Sequence, residues 1–151
     1  MNGLPEIKRI SQDIVMETLR SVLLERGEIT LPATGFSMGP MFQSAESLVI
    51  RSCSHSPALS PGAILVFERN EGWVAHRLWM KWGDVYLTGG DAVWTLDWPP
   101  LRRDGITGRV VALWRNGRRV ELESGMAWWR RPRWITGGIL RLLRKALGWG
   151  N

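Results

Sequence analysis

Ser37, His76 and two aspartates, Asp91 and Asp97, follow one another in an order that suits acyl transfer. Ser37 lies in T-G-F-S-M-G-P-M-F, residues 34–42, with Gly35 before it and Pro40 after it, at the end of an apolar run. Glycine and proline are strong punctuators, so the stretch reads first as a turn. It also meets the needs of a nucleophile. A tight backbone with little bulk ahead of the serine turns the hydroxyl to a cleft and the serine N–H to a developing oxyanion. What decides between turn and nucleophile is a base. His55 lies in S-C-S-H-S-P-A-L-S-P-G, residues 52–62, a Ser/Pro-rich loop expected on the surface. His76 lies in W-V-A-H-R-L-W, where strand alternation fixes its direction, although a lone strand histidine is most often simply packed. Asp91 and Asp97 come next, in T-G-G-D-A-V-W-T-L-D-W, residues 88–98. Serine, histidine and aspartate in this order have the makings of a base-activated nucleophile with an orienting carboxylate. Spacing leaves open which aspartate serves and whether the groups meet.

The elements that must position these groups are mainly strands. Residues 6–26 place Ile7, Ile10, Ile14, Val15, Val22 and Leu23 near one helical face, read as core packing, and Gly27 stands where a left-handed residue would end the helix. Residues 28–33 alternate and lead as a strand into the serine turn, and residues 44–52 hold a second apolar run. Short strand-like runs follow at 63–69, 73–80, 84–88, 108–115 and 119–122, with Asn70-Glu71-Gly72 and Asn116-Gly117 as hairpin turns. The expected class is mainly β (α+β): an N-terminal helix over 1–27, a twisted antiparallel β domain over 28–125, and a basic amphipathic C-terminal helix within a Trp/Arg-rich tail, 126–151.

A chain of 151 residues has the length of one domain, with 44% apolar residues giving a globular composition. The lone Cys53 excludes an internal disulfide, two histidines make a structural zinc site a poor fit, and neither cofactor nor metal is called for. The net charge of +6 is not spread over the body. Residues 1–125 hold 14 Lys and Arg against 14 Asp and Glu, while 126–151 hold Arg130, Arg131, Arg133, Arg141, Arg144 and Lys145 and no acid. Nucleic acid is therefore not an expected partner. The tail combines those cations with Trp128, Trp129, Trp134, Trp149 and an apolar stripe, the pattern of a helix lying on an anionic membrane surface. Its other reading is a helix docked by that stripe on the β domain. No apolar run is long enough to span a membrane and the N-terminus shows no secretory leader. Residence is expected in the cytoplasm, peripheral on the inner face of the membrane.

Taken together, four boxes resemble the type I signal peptidases and their soluble and self-cleaving-repressor relatives. G-F-S-M-G-P resembles the family's G-x-S-M-x-P; P-G-A-I-L-V-F-E its P-G-D-I-V-V-F strand; V-A-H-R-L its H-R-V box; and T-G-G-D-A-V-W-T-L-D its T-K-G-D-A-N with a later aspartate. G-R-V-V-A-L-W resembles its G-x-V strand, so the resemblance covers about residues 28–122. It implies a β domain of the signal peptidase type, with Ser37 as nucleophile and His76 as general base, as in the branch that carries histidine in place of the bacterial lysine. It also implies that Asp97 orients the imidazole, that Asp91 holds the local turn, and that the Ser37 N–H donates to the oxyanion. Gly35 stands where the family has a hydroxyl donor, and is expected to leave room for substrate backbone; Met38 is expected beneath the serine. Ala63, Gly89 and Val93 depart from the family's aspartate, lysine and asparagine, and the N-terminal membrane anchor of true signal peptidases is not expected, a soluble helix being read in its place.

The activity so implied is that of a serine endopeptidase acting on a peptide or protein in extended conformation, such as a leader or signal-like segment, laid along a strand edge. Phe36, Met41 and the tryptophans are candidates to line its pockets, though Trp73, Trp79, Trp82, Trp94, Trp98 and Trp114 taken singly read as core or cleft walls. The rival is a non-catalytic peptide-binding or membrane-docking module on the same fold, suggested by the departures at Ala63 and Gly89. A self-cleaving regulator ranks last, because one helix before the first strand leaves little for DNA binding.

Overall fold

The computed structural model describes residues 4–55, 58–69, 72–92 and 95–122, with side chains in the first helix from Asp13 onward. A helix, α1 (Leu4–Arg26), precedes eight strands: β1 (Glu28–Pro32), β2 (Ser47–Ser52), β3 (Ile64–Arg69), β4 (Gly72–Trp82), β5 (Val85–Gly89), β6 (Leu101–Arg102), β7 (Ile106–Arg115) and β8 (Arg118–Glu121). All pair antiparallel in one sheet of order β1-β2-β7-β3-β4-β5-β6, with β8 added to β7. The mainly β class with one N-terminal helix is thus observed. The tail over 126–151 lies outside the described residues, as do Asn70-Glu71 and Trp94 and the side chains of Ile7, Ile10 and His55.

Strand β3 lies inside the sheet between β7 and β4, and Ile64, Leu65, Val66 and Phe67 are buried in succession, so both of its faces are covered. Alternation sends Ile64 and Val66 into one cluster, with Leu23, Met38, Leu48, Ile50, Val110 and Leu113. It sends Leu65 and Phe67 into a second, with Cys53, Leu59, Ala63, Leu78, Tyr86 and Ile106. Asn116 (φ 51°) and Gly117 (φ 68°) both adopt the left-handed conformation that a two-residue hairpin between β7 and β8 requires. Gly27 (φ 75°) ends α1, its N–H bonded to the Leu23 carbonyl at 2.9 Å.

Two expectations are corrected. Helix α1 does not bury its whole apolar stripe: Ile14 is 61% exposed and Val15 also faces outward, while Leu23 in the last turns is fully buried. Among the described side chains of α1 Leu23 is the buried one, and Gly108 lets it in; a Cβ there would lie 2.7 Å from the Arg51 carbonyl oxygen and 3.4 Å from Leu23 Cδ2. The Ser/Pro-rich loop is not wholly on the surface either. Ser52, Cys53 and Leu59 are buried, because Cys53 and Leu59 complete the second cluster.

Candidate active site

The sheet is rolled so that its first and fifth strands face each other. Leu31 of β1 and Trp73, Val74 and Ala75 of β4 line one cavity of about 200 Å³, although three strands separate β1 from β4 in the sheet. Both flanking edges are open among the described residues. Strand β1 pairs only with β2, and residues 72–76 of β4 pair only with β3, since β5 joins β4 from Arg77 onward.

Ser37 lines this cavity, half-buried, directly before the buried Met38. Its turn is held from several sides. The Gly39 N–H bonds the Phe36 carbonyl at 3.0 Å, the Ala92 N–H bonds the Ser37 carbonyl at 2.8 Å, and Arg115 donates to the Met41 carbonyl at 2.6 Å. The Ser37 N–H makes no hydrogen bond within the described residues, so it is available as a donor. Gly35 is required for its backbone rather than for space. Its φ is 90°, and a Cβ there would meet nothing within 4 Å.

His76 and Arg77 are successive residues of β4 and turn to opposite sides. The His76 imidazole stands edge-on to Phe67, ring centroids 6.0 Å apart. Its Nδ1 lies 2.8 Å from Asp97 Oδ2, an oxygen that also accepts from Thr88 Oγ1 at 2.7 Å. A carboxylate only accepts, so Nδ1 is the nitrogen that donates to Asp97, and in the neutral imidazole the lone pair then falls on Nε2. Asp97 is itself fixed by its backbone N–H on the Thr88 carbonyl (2.8 Å), and Arg69 donates to the following Trp98 and Pro99 carbonyls at 2.9 and 2.5 Å. Burial alone would push the Asp97 carboxyl up. Hydrogen bonds from His76 and Thr88, with the nearby charges of His76 and Arg69, outweigh it and hold the carboxyl below its ordinary value.

Asp91 serves the other neighbour. Arg77, 3% exposed, donates through Nε and a terminal nitrogen to the two Asp91 oxygens at 2.8 and 2.5 Å, and through the remaining nitrogen to the Gly62 carbonyl at 2.8 Å. The structure thus brings together His76, Asp97 and Thr88, and ties Ser37 by its backbone to Ala92, beside Asp91. It does not join the Ser37 hydroxyl to His76: no hydrogen bond links them among the described residues, and Trp73, Val74 and Ala75 of β4 line the cavity with Ser37 whereas His76 does not.

Thr88, Arg77 and Arg69 were not singled out from sequence. An arginine inside the apolar run V-A-H-R-L was the available signal, since buried arginine needs a partner. Of the positions that differ from the boxes the sequence resembles, Ala63 is buried in the second cluster and its carbonyl accepts from the Leu78 N–H at 2.7 Å. Gly89 has a steric cause: a Cβ would lie 2.6 Å from the Thr95 carbonyl oxygen and 3.1 Å from Trp79 Nε1. Phe36, 88% exposed, lines a second hollow with Gly35, Gly39, Pro40 and Gln43, and Met41 meets Arg77 through its sulfur at 3.4 Å. Among the described residues no helix is long and apolar enough to cross a membrane. No family model, curated protein or solved structure matches the chain.

Proposed function

We propose that the protein is a serine endopeptidase that cleaves an extended peptide, with Ser37 as nucleophile, His76 as general base and Asp97 as the group that holds the imidazole. The observation that carries this reading is the His76–Asp97–Thr88 arrangement, which leaves Nε2 without a protein partner among the described residues, on the strand whose edge flanks the Ser37 cavity. In the reaction Nε2 takes the Ser37 hydroxyl proton as Oγ attacks the peptide carbonyl, and the Ser37 N–H faces the oxyanion. Collapse returns the proton from Nε2 to the leaving amine. Water, deprotonated by the same nitrogen, then hydrolyses the acyl-enzyme and restores the serine. The resemblance of the four boxes to type I signal peptidases points to the same chemistry. Because Ser37 and His76 are not hydrogen-bonded in the free protein, substrate must bring them together; such bonds commonly tighten only in the substrate complex.

That missing bond favours one rival, a peptide-binding module without hydrolysis. A serine-reactive fluorophosphonate separates the two. The peptidase reading expects covalent labelling of the full chain at Ser37, lost on Ser37→Ala and slowed on the order of 10⁴-fold or more on His76→Ala. Labelling that persists in both variants, or none in the wild type at millimolar probe, overturns it.

A further inference from the structure

Resting on the peptidase reading for its chemistry, we infer that the cavity beside Ser37 receives a large apolar side chain, the size of leucine, methionine or phenylalanine, from the acyl side of an extended peptide. Four observations carry this. The cavity measures about 200 Å³, whereas a cavity of about 150 Å³ lined by Leu, Ile and Phe already takes a benzene ring. Its floor is apolar and buried, formed by Met38, Leu48, Ile50 and Val66, and no charged residue lines it. The exposed Thr34 and Gly35 form its rim, with Ser37 beside them. Finally, among the described residues the edges of β1 and of residues 72–76 on either side lack strand partners, so an extended backbone laid between them satisfies both.

An alanine methyl leaves most of the floor uncovered, and its lining forfeits the contacts a larger side chain supplies. A lysine or glutamate is rejected for another reason: its charge would enter a pocket offering no partner. The wall also holds an unfinished group. Trp73 Nε1 is buried without an acceptor among the described residues. A small turn of the indole as the pocket fills would let a peptide carbonyl accept from it.

The test uses the full chain and diphenyl phosphonates built on alanine, leucine, phenylalanine and lysine. Each reacts by forming a bond from Ser37 Oγ to phosphorus and expelling phenol, the serine proton leaving through His76. Leucine and phenylalanine probes should inactivate at least about tenfold faster than the alanine probe, a difference of the size that methylenes make in an apolar pocket, and the lysine probe should be slowest. Ala75→Leu, which fills the cavity from the β4 side, should reverse the order of leucine and alanine. An alanine probe that is fastest, or four equal rates, overturns the inference and leaves the peptidase standing. Binding to Ser37→Ala, followed by calorimetry with acetylated hexapeptide amides differing only in leucine or alanine, needs no chemistry. Tighter leucine binding with no phosphonate reaction sustains the pocket and overturns the peptidase; equal binding with no reaction overturns both.

Discussion

His76 and Arg77 stand side by side on β4, and each takes an aspartate from the segment that follows β5, yet their two pairs are built differently. Arg77 is 3% exposed and every nitrogen of its guanidinium has an acceptor: both Asp91 oxygens, the Gly62 carbonyl and the Met41 sulfur. His76 is 13% exposed and engages one nitrogen; among the described residues Nε2 has no protein partner. A guanidinium that never deprotonates, saturated on all sides, can only hold chain segments together. An imidazole with one nitrogen fixed and one left over is placed to move a proton. The Arg77 pair ties the β3–β4 region to the loop that carries the Ser37 contact. The His76 pair gives that rigid frame the nitrogen proposed as its base.

The sharpest break between the two pairs comes from substituting each aspartate. Asp97→Asn keeps the shape but removes the charge and offers the imidazole the wrong partner. Its labelling or turnover rate should fall about 10³–10⁴-fold while thermal unfolding shifts little. Asp91→Ala strands a buried guanidinium and should cost about 3–5 kcal/mol of stability. The fraction still folded should keep its rate within about tenfold. Denaturant titration and phosphonate kinetics on both variants check this; an Asp91 variant that keeps its stability and loses its rate would reverse the assignment of roles.

Why Asp97 meets His76 and Asp91 meets Arg77 was not legible from spacing, because both aspartates follow the histidine within about twenty residues. The pairing depends on β4 alternation and on how the segment after β5 returns: Gly89 bridges Leu96, and Thr88 binds Asp97 through both backbone and hydroxyl. Those are long-range matters of register. What was legible had local causes, such as the strand-like run at 63–69, the Asn116-Gly117 turn and the left-handed Gly27. Helix periodicity shows which residues of α1 share a face and nothing about what lies opposite, so it assigns Ile14 and Val15 to a core from which the structure leaves them exposed, while Leu23 enters it. Strand β6, at two residues, is too short to carry a pattern.

The return of that segment can be tested at Gly89. A methyl there meets the Thr95 carbonyl oxygen at 2.6 Å, backbone that cannot turn aside as a side-chain end would. Gly89→Ala should therefore cost about 1–3 kcal/mol and also slow phosphonate labelling, because Asp97 rides on the displaced chain. Gly105, where a Cβ meets nothing within 4 Å, is the control: Gly105→Ala should leave both unchanged. A Gly89 variant that loses stability and keeps its full rate would show that Asp97 is held independently of this close approach.

The smallest effect concerns acid. Burial pushes the Asp97 carboxyl up, but the hydrogen bonds and charges around it bring the balance below the ordinary value, so the folded chain favours the ionised form more than the unfolded chain does. Stability from this group is complete above the ordinary carboxylate pKa of about 3.9 and is lost as pH falls through the lowered folded value. Glu28 follows the same course: burial raises it, while hydrogen bonds from Arg51 and Arg119 and their charges more than offset that. The melting temperature should thus hold level down to about pH 5 and decline below about pH 4. Asp97→Asn should flatten part of that decline and leave the share that belongs to Glu28. Wild-type and variant curves that run parallel to pH 3 would mean that the imidazole and Thr88 do not hold the carboxylate. The His76 pair would then be a contact of position alone, no different in kind from its neighbour at Arg77.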